Sequence, residues 1–318
     1  MDLIDKKVLC ALDTNSREPL SKIAKRLRIS RNTLAYRIKS LEDKGIISKY
    51  ITTLNLGKLG FRTYKVHFRT RLDKMVEKEF VKYMIENKNV IYFLKTEGAF
   101  DFSASLAVKN IKELDEILMN IKSKFSKIIK DYFVSIVVFA QVFKLDKLLL
   151  DANQEIKRFE HYSGEDKVRD IDDKDIKILN ELSQKSNMSI VELSSKTKLS
   201  IDVVKYRLKN LSESVINSFR PLFDLSKIGY HLYSVMLKMN TFTKRDEQSI
   251  TTWLAHKKNV MYYTKRIGNY ELIINTVIKD VTDLNSFVKE LREKFGDIIE
   301  NYDTLIISKI LKLDYVVL

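Results

Sequence analysis

The sequence predicts an α+β chain made of two copies of one unit, each a helix-turn-helix head followed by a βαββαβ domain. Three observations lead there. The chain repeats itself at an offset of 170 residues: Asp2, Asp5, Lys7, Leu9, Leu12, Ser16, Ser30, Tyr36, Arg37, Lys39 and Leu41 each meet the same residue type between Asp172 and Leu211. Within each copy the hydrophobic period switches from helical to alternating. The 318 residues, 45% hydrophobic and 31% charged with only two prolines and eight glycines, leave room for several packed domains and little coil. A repeat this long is a duplicated domain pair and not a solenoid.

In residues 2–44 the apolar positions Ile4, Val8, Leu12, then Ile23, Leu27, then Leu34, Ile38, Leu41 recur at helical spacing. From Phe61 the pattern alternates: Tyr64, Val66 and Phe68 against Lys65, His67 and Arg69, as expected of a half-buried strand. A helix follows over Glu77–Asn87, then strands in "VIYFLKT" and "FSASLAV" on either side of Gly98, a helix over Ile111–Lys130 and a strand in "YFVSIVVFAQVF". That order is ferredoxin-like. The second copy repeats it with "YHLYSVMLKM", a helix over Glu247–His256, "VMYYTKR", "ELIINTVI", a helix over Leu284–Phe295 and "TLIISKILKL". The strand at 132–143 is apolar on both faces, which predicts that the two domains pack sheet to sheet. The expected division is a head over 1–60, a ferredoxin-like domain over 61–145, a polar connector over 146–169, a divergent head over 170–229 and a second ferredoxin-like domain over 230–318.

The segment "ISRNTLAYRIKSLEDKGII" carries the sharpest chemistry. Ser30 stands where an N-cap would start a helix. At ~100° per residue, Leu34, Ile38 and Leu41 form an inward stripe, Asn32, Tyr36 and Lys39 face away, and Arg31 and Arg37 flank the stripe. Amide, phenol and cations on one exposed face suit a major groove, where Asn reads adenine and Arg or Lys takes guanine or phosphate. A plain three-helix packing unit with a solvated basic face is the alternative. Charge separates the copies: residues 1–60 carry 13 basic and 6 acidic side chains, net +7, whereas 170–229 carry 10 and 9, net +1. The second head has Asp202 and Ile201 in place of Asn32 and Arg31. A carboxylate there is expected to be repelled by phosphates.

Across each unit the sequence resembles the Lrp/AsnC, or feast/famine, regulators. Ser30, Arg37, Leu41, Glu42, Gly45, Ile46 and Ile47 match that family's winged helix-turn-helix, and "LNLGKLGF" its short wing. The βαββαβ half corresponds to its sensing and assembly (RAM-type) domain, with a Gly-x-x-Asp turn at Gly98 and Asp101 and a variant at Gly268 and Glu271. The resemblance implies double-stranded DNA as partner through Ser30, Arg31, Asn32, Tyr36, Arg37 and Lys39. It also implies an amino acid or similar effector near the two glycine turns, and assembly as a homodimer.

Other chemistry finds little footing. His67, His161, His231 and His256 lack metal-ligand spacing, and no glycine-rich phosphate loop or Gly-x-Ser-x-Gly occurs. No cofactor is expected. The lone Cys10 fits a reducing cytoplasm, and no run approaches the ~18 apolar residues of a membrane span. A net charge of +15 favours a polyanionic partner. The rival readings are a siroheme-decarboxylase-like enzyme on the same plan and a scaffold that never touches DNA.

Overall fold

The computed structural model of the chain describes residues 1–151, the backbone of 159–163, and residues 167–317. The first head consists of α1 (Leu3–Thr14), α2 (Leu20–Leu27) and α3 (Arg31–Asp43), followed by strand β1 (Ile47–Leu54) and a 3-10 turn at Gly57–Leu59. The first sheet domain comprises β2 (Arg62–Thr70), α4 (Lys74–Glu86), β3 (Val90–Gly98), β4 (Phe102–Val108), α5 (Ile111–Lys124) and β5 (Ile129–Val142). A short helix α6 (Asp146–Leu150) and a strand β6 (Phe159–Ser163) lead to the second head: α7 (Asp173–Gln184), α8 (Ile190–Thr197), α9 (Ile201–Ser214) and β7 (Ile216–Phe223). After a 3-10 turn at Leu225–Ile228 come β8 (His231–Met239), α10 (Lys244–His256), β9 (Val260–Ile267), β10 (Leu272–Ile278), α11 (Val281–Phe295) and β11 (Ile299–Leu313).

The two sheet domains meet more intimately than sheet packed on sheet. Their strands run in the order β2-β4-β3-β11-β8-β10-β9-β5, and β5 pairs back with β2, so eight strands close into one barrel. The long strands make the closure. Residues 129–136 of β5 pair with β2 and residues 136–142 pair with β9. Likewise β11 pairs with β8 over 299–307 and with β3 over 305–313. Closure removes free strand edges, the chief hazard of open sheets.

Outward residues of each sheet pack under their own helices. Tyr64, Val66 and Phe68 meet Phe80 and Met84 of α4 and Leu114 of α5, while Tyr233, Val235 and Leu237 meet Trp253, Leu254 and Phe287. The alternating partners on β2 do not face water as a half-buried strand implies: Lys65 and His67 point into the barrel and are buried. Conversely, the expectation that β5 is covered on both faces fails at its first half. Val134 and Ile136 lie opposite Val66 and Tyr64 on the outer face, yet α4 and α5 sit over β3 and β4, and the two residues stay 37% and 40% exposed.

The heads are exchanged rather than separate. No wing hairpin forms within either head among the described residues; β1 pairs antiparallel with β7 of the other copy, Ile51 opposite Arg220. Leu54, Leu56 and Phe61 pack into the core of the second head with Ile178, Leu193 and Val204. The connector is not simply polar spacer, because Leu149 enters the core of the first head, with Leu148 and Leu150 packed against it. Asp13, 2% exposed, lies 2.9 Å from Arg220 of β7, and its other oxygen accepts the Leu145 N–H at 2.9 Å.

Candidate nucleic-acid interface

Each head is set by caps that the sequence encodes locally. Asp2 accepts the Asp5 N–H at 2.8 Å, and Asp5 returns a bond to the Asp2 N–H, a capping box that starts α1; Asp172 and Asp175 repeat it at α7. Ser30 accepts the Thr33 N–H at 3.0 Å to start α3, and Ser200 does the same for Val203 at α9. The turn before each of these helices passes through a left-handed residue, Arg28 and Lys198, both at φ 57°. A side chain there bears strain that glycine would avoid.

The stripe on α3 is as the spacing predicts: Leu34 and Leu41 are buried and Ile38 is half-buried against α1 and α2. Ser30, Arg31, Asn32, Tyr36 and Lys39 are exposed together on the far side, Tyr36 at 72%. Arg31 and Lys39 have no acidic partner within salt-bridge distance among the described residues. The second head presents a neutralised counterpart. Lys205 lies 3.9 Å from Asp202, and Lys209 lies 4.0 Å from Glu213.

Arg37 departs from the expected face. Its guanidinium pairs with Asp2 and, at 2.9 Å, with Asp5, clasping α3 to the start of α1. Arg207 makes the same clasp to Asp172 at 2.7 Å and Asp175 at 3.1 Å. The backbone N–H of Asp5 first, and then Arg37, hold the Asp2 carboxyl below its usual range; Asp172 is lowered likewise by the Asp175 N–H and Arg207. All six residues appear in the internal repeat, so the clasp left a trace in the sequence. What the repeat could not show is that residues 32 and 35 positions apart become partners.

The turn residues tie the two units together. Gly98 has φ 118°, and a Cβ there would come 2.7 Å from the Thr304 carbonyl oxygen on β11; at Gly268, φ 145°, it would come 2.8 Å from Ser135 Cβ on β5. Both glycines permit close approach across the seam between units. Asp101 accepts the Thr70 N–H at 2.6 Å and Glu271 the Met239 N–H at 2.9 Å, so each carboxylate holds a strand end. The sequence reading assigned none of the four this role.

Among the described residues no group of three or more His, Cys, Asp or Glu is placed to hold a metal ion, and no helix is long and apolar enough to cross a membrane.

Comparison with known proteins bears on both halves of the chain. The family described as winged helix-turn-helix DNA-binding matches residues 1–48 and again 171–214. The HTH-type transcriptional regulator Ptr1 of Methanocaldococcus jannaschii is 30% identical over 118 residues, which are 37% of this chain and 79% of that protein. An uncharacterized HTH-type transcriptional regulator of Pyrococcus furiosus, PF1734, is 28% identical over 148 residues, 46% of this chain and 97% of that one. Such relatives have the length of one unit. Over the whole chain the fold is similar to that of the siroheme decarboxylase NirDL, with a TM-score of 0.64, 16% identity and coverage of 98% of this chain and 93% of that one. At that identity the likeness concerns the fold alone. The paired heads, the doubled family match and the regulator relatives together place the chain in the Lrp/AsnC family of HTH-type transcriptional regulators, as a tandem of two units.

Proposed function

We propose that the protein is a sequence-specific, DNA-binding transcriptional regulator of the cytoplasm whose first head supplies the reading face and whose second head supplies the frame. The observation that carries this reading is the contrast between the two exposed helix faces. Arg31 and Lys39 stand unneutralised beside Asn32 and Tyr36, whereas Lys205 and Lys209 each have an acidic neighbour. An unneutralised cation releases counterions from DNA; one already paired gains less. Asn32 then reads adenine in the major groove, Arg31 takes guanine or phosphate, and Lys39 follows the backbone. With one strong head per chain, a palindromic operator is occupied by a homodimer, its heads one duplex turn, ~34 Å, or a multiple apart.

Genome-wide occupancy would supply an operator, and titration of that operator at several salt concentrations tests the reading. Loss of specific binding by Arg31→Ala and Asn32→Ala, with Lys205→Ala and Lys209→Ala unaffected, is the expected outcome. Equal losses from both heads would defeat it. An enzymatic reading on the same fold draws on the full-length likeness to a decarboxylase and on the cavity inside the barrel. A purified protein with a Soret absorption band would favour that reading; DNA binding without colour favours regulation.

A further inference from the structure

The barrel is hollow. Between its inner faces lies a cavity of about 670 Å³, lined at one end by Ile273 and Leu305, which pack with Phe100 and Met236, and at the other by the β1–β7 ribbon. That volume suits a small molecule. Its exposed wall is mostly apolar, with Leu94, Val137, Val277 and Ile307 among the lining residues, but Ser103, Thr264 and Asn275 also line it. Set into this wall are three basic side chains, all more than nine-tenths buried: Lys65, His67 and Arg266.

Their partners are too few. Among the described residues the Lys65 Nζ reaches only the Ser105 hydroxyl, at 3.2 Å, and the face of Tyr92, at 4.9 Å from the ring centroid. The Arg266 Nε donates to Thr264 at 2.9 Å, and its Nη1 lies 3.2 Å from His67 Nε2. The His67 Nδ1 has no hydrogen-bond partner among the described residues. Among the described residues no carboxylate forms a salt bridge or hydrogen bond with any of the three. Asp224, the one acidic residue lining the cavity among the described residues, bonds Ser226 at the ribbon end. Burial, with Arg266 nearby, pushes Lys65 and His67 well below their ordinary pKa values, and burial pushes Arg266 down to about 9.

Closing the barrel does not require these groups. By the internal repeat, Ser234 and Met236 stand in the second unit where Lys65 and His67 stand in the first, and Thr96 stands where Arg266 does. Each of these positions is therefore filled by a neutral residue in the other unit, which builds the same strand without a cation. The basic trio exists once, gathered from β2 of one unit and β9 of the other onto one side of the cavity.

We propose that the barrel interior binds one amphipathic carboxylate, its carboxylate held by Lys65, His67 and Arg266 and its apolar body laid along the aliphatic wall. An anion there supplies the missing counter-charge and an acceptor for the ammonium and guanidinium N–H groups. The inference stands on the barrel alone and does not depend on which head reads DNA.

Decanoate and decan-1-ol, which share a chain and differ in the charged end, test it by calorimetric titration of the full-length protein. Decanoate is expected to bind one per chain and at least tenfold more tightly than the alcohol. Lys65→Met and Arg266→Met should each weaken decanoate at least tenfold and leave the alcohol unchanged. Lys65→Met should also raise the Tm of the unliganded protein, because it removes a buried amine whose desolvation the empty cavity leaves uncompensated. Should either methionine variant fail to fold, Lys65→Gln and His67→Gln, neutral and similar in reach, carry the same expectation. Decanoate that fails to bind, that binds no better than the alcohol, or that binds the variants as it binds the parent chain overturns the proposal. A fall in Tm with Lys65→Met overturns it as well, by making the cation structural.

Discussion

The two heads share a backbone plan and differ in what their exposed sides are asked to do. Both are started by an aspartate capping box, both clasp the third helix with an arginine, and both turn through a left-handed basic residue. What is duplicated is the capping box and the arginine clasp that hold a head together. What has drifted is the exposed face, where Asp202 and Ile201 replace Asn32 and Arg31, and with it the net charge, +7 over residues 1–60 and +1 over 170–229. Structural residues answer to neighbours that were duplicated with them. A reading face answers to an external partner, and a covalently paired second head can lose that partner without losing its fold.

The strongest test of this comparison attacks an asymmetry in the scaffold. Asp13 is a buried carboxylate pinned between Arg220 and the Leu145 N–H, whereas among the described residues the corresponding Ser183 bonds only neighbours in sequence, donating to the Asn180 carbonyl at 2.8 Å and accepting from Gln184 at 3.4 Å. Asp13→Ala leaves Arg220 without its counter-charge and is expected to cost about 3–5 kcal/mol in urea unfolding. Ser183→Ala should cost a few tenths of a kcal/mol, as exposed or half-exposed changes do. Similar costs at the two positions would mean that the heads are not held in different ways.

Next in size are the reading faces. Asn32→Ala should weaken operator binding by about 1–3 kcal/mol if it reads one base, measured by fluorescence anisotropy. The converse sharpens the point: Ile201→Arg with Asp202→Asn, which copies the first face onto the second, should raise affinity for non-specific duplex. No gain would show that the second head is kept from DNA by position and not by charge. Smaller still, Lys39→Ala should weaken all sequences alike and reduce the salt slope by about one unit, with Lys209→Ala leaving the slope unchanged.

The smallest expected difference is none at all. Arg37→Ala and Arg207→Ala should lower Tm by similar amounts, because each opens the same clasp. Asp2 and Asp172 titrate below the ordinary aspartate value of 3.8 in the folded chain, so their contribution is present above that value and fades as pH falls through the folded one. Acid should therefore loosen both heads over the same interval below about pH 4. Near-ultraviolet circular dichroism followed with pH checks this; a head that loosens alone would break the symmetry.

Much of this architecture is legible in the sequence, because its signals are local. Ser30 and Ser200 mark helix starts, and the change of period at Phe61 marks the passage from head to sheet. Partner choice is not local. "ISKYITTL" and "INSFRPLF" each read as strands, but nothing in either says that they pair with each other across 169 positions. Arg37 sits at the edge of its helical stripe, where projection alone cannot separate a base contact from a clasp to Asp2 and Asp5. On β2, alternation announces a polar face at Lys65 and His67; whether that face meets solvent or a cavity depends on seven other strands.

Barrel closure also has a meaning in time. β5 gives half its length to β9, and β3 waits for β11, so the first sheet cannot finish pairing until the chain has been made through Leu313. At ~5–20 residues per second, the interval between synthesis of Val142 and Leu313 lasts on the order of ten to thirty seconds. During that interval the nascent first unit exposes strand edges and an incomplete interior on the ribosome. Fusion of the two units keeps the missing strands tethered to the edges they must cover, so closure needs no encounter between separate molecules. It also ties the first half to the second, and a chain truncated after Val142 is left with open edges suited to pairing with another copy of itself.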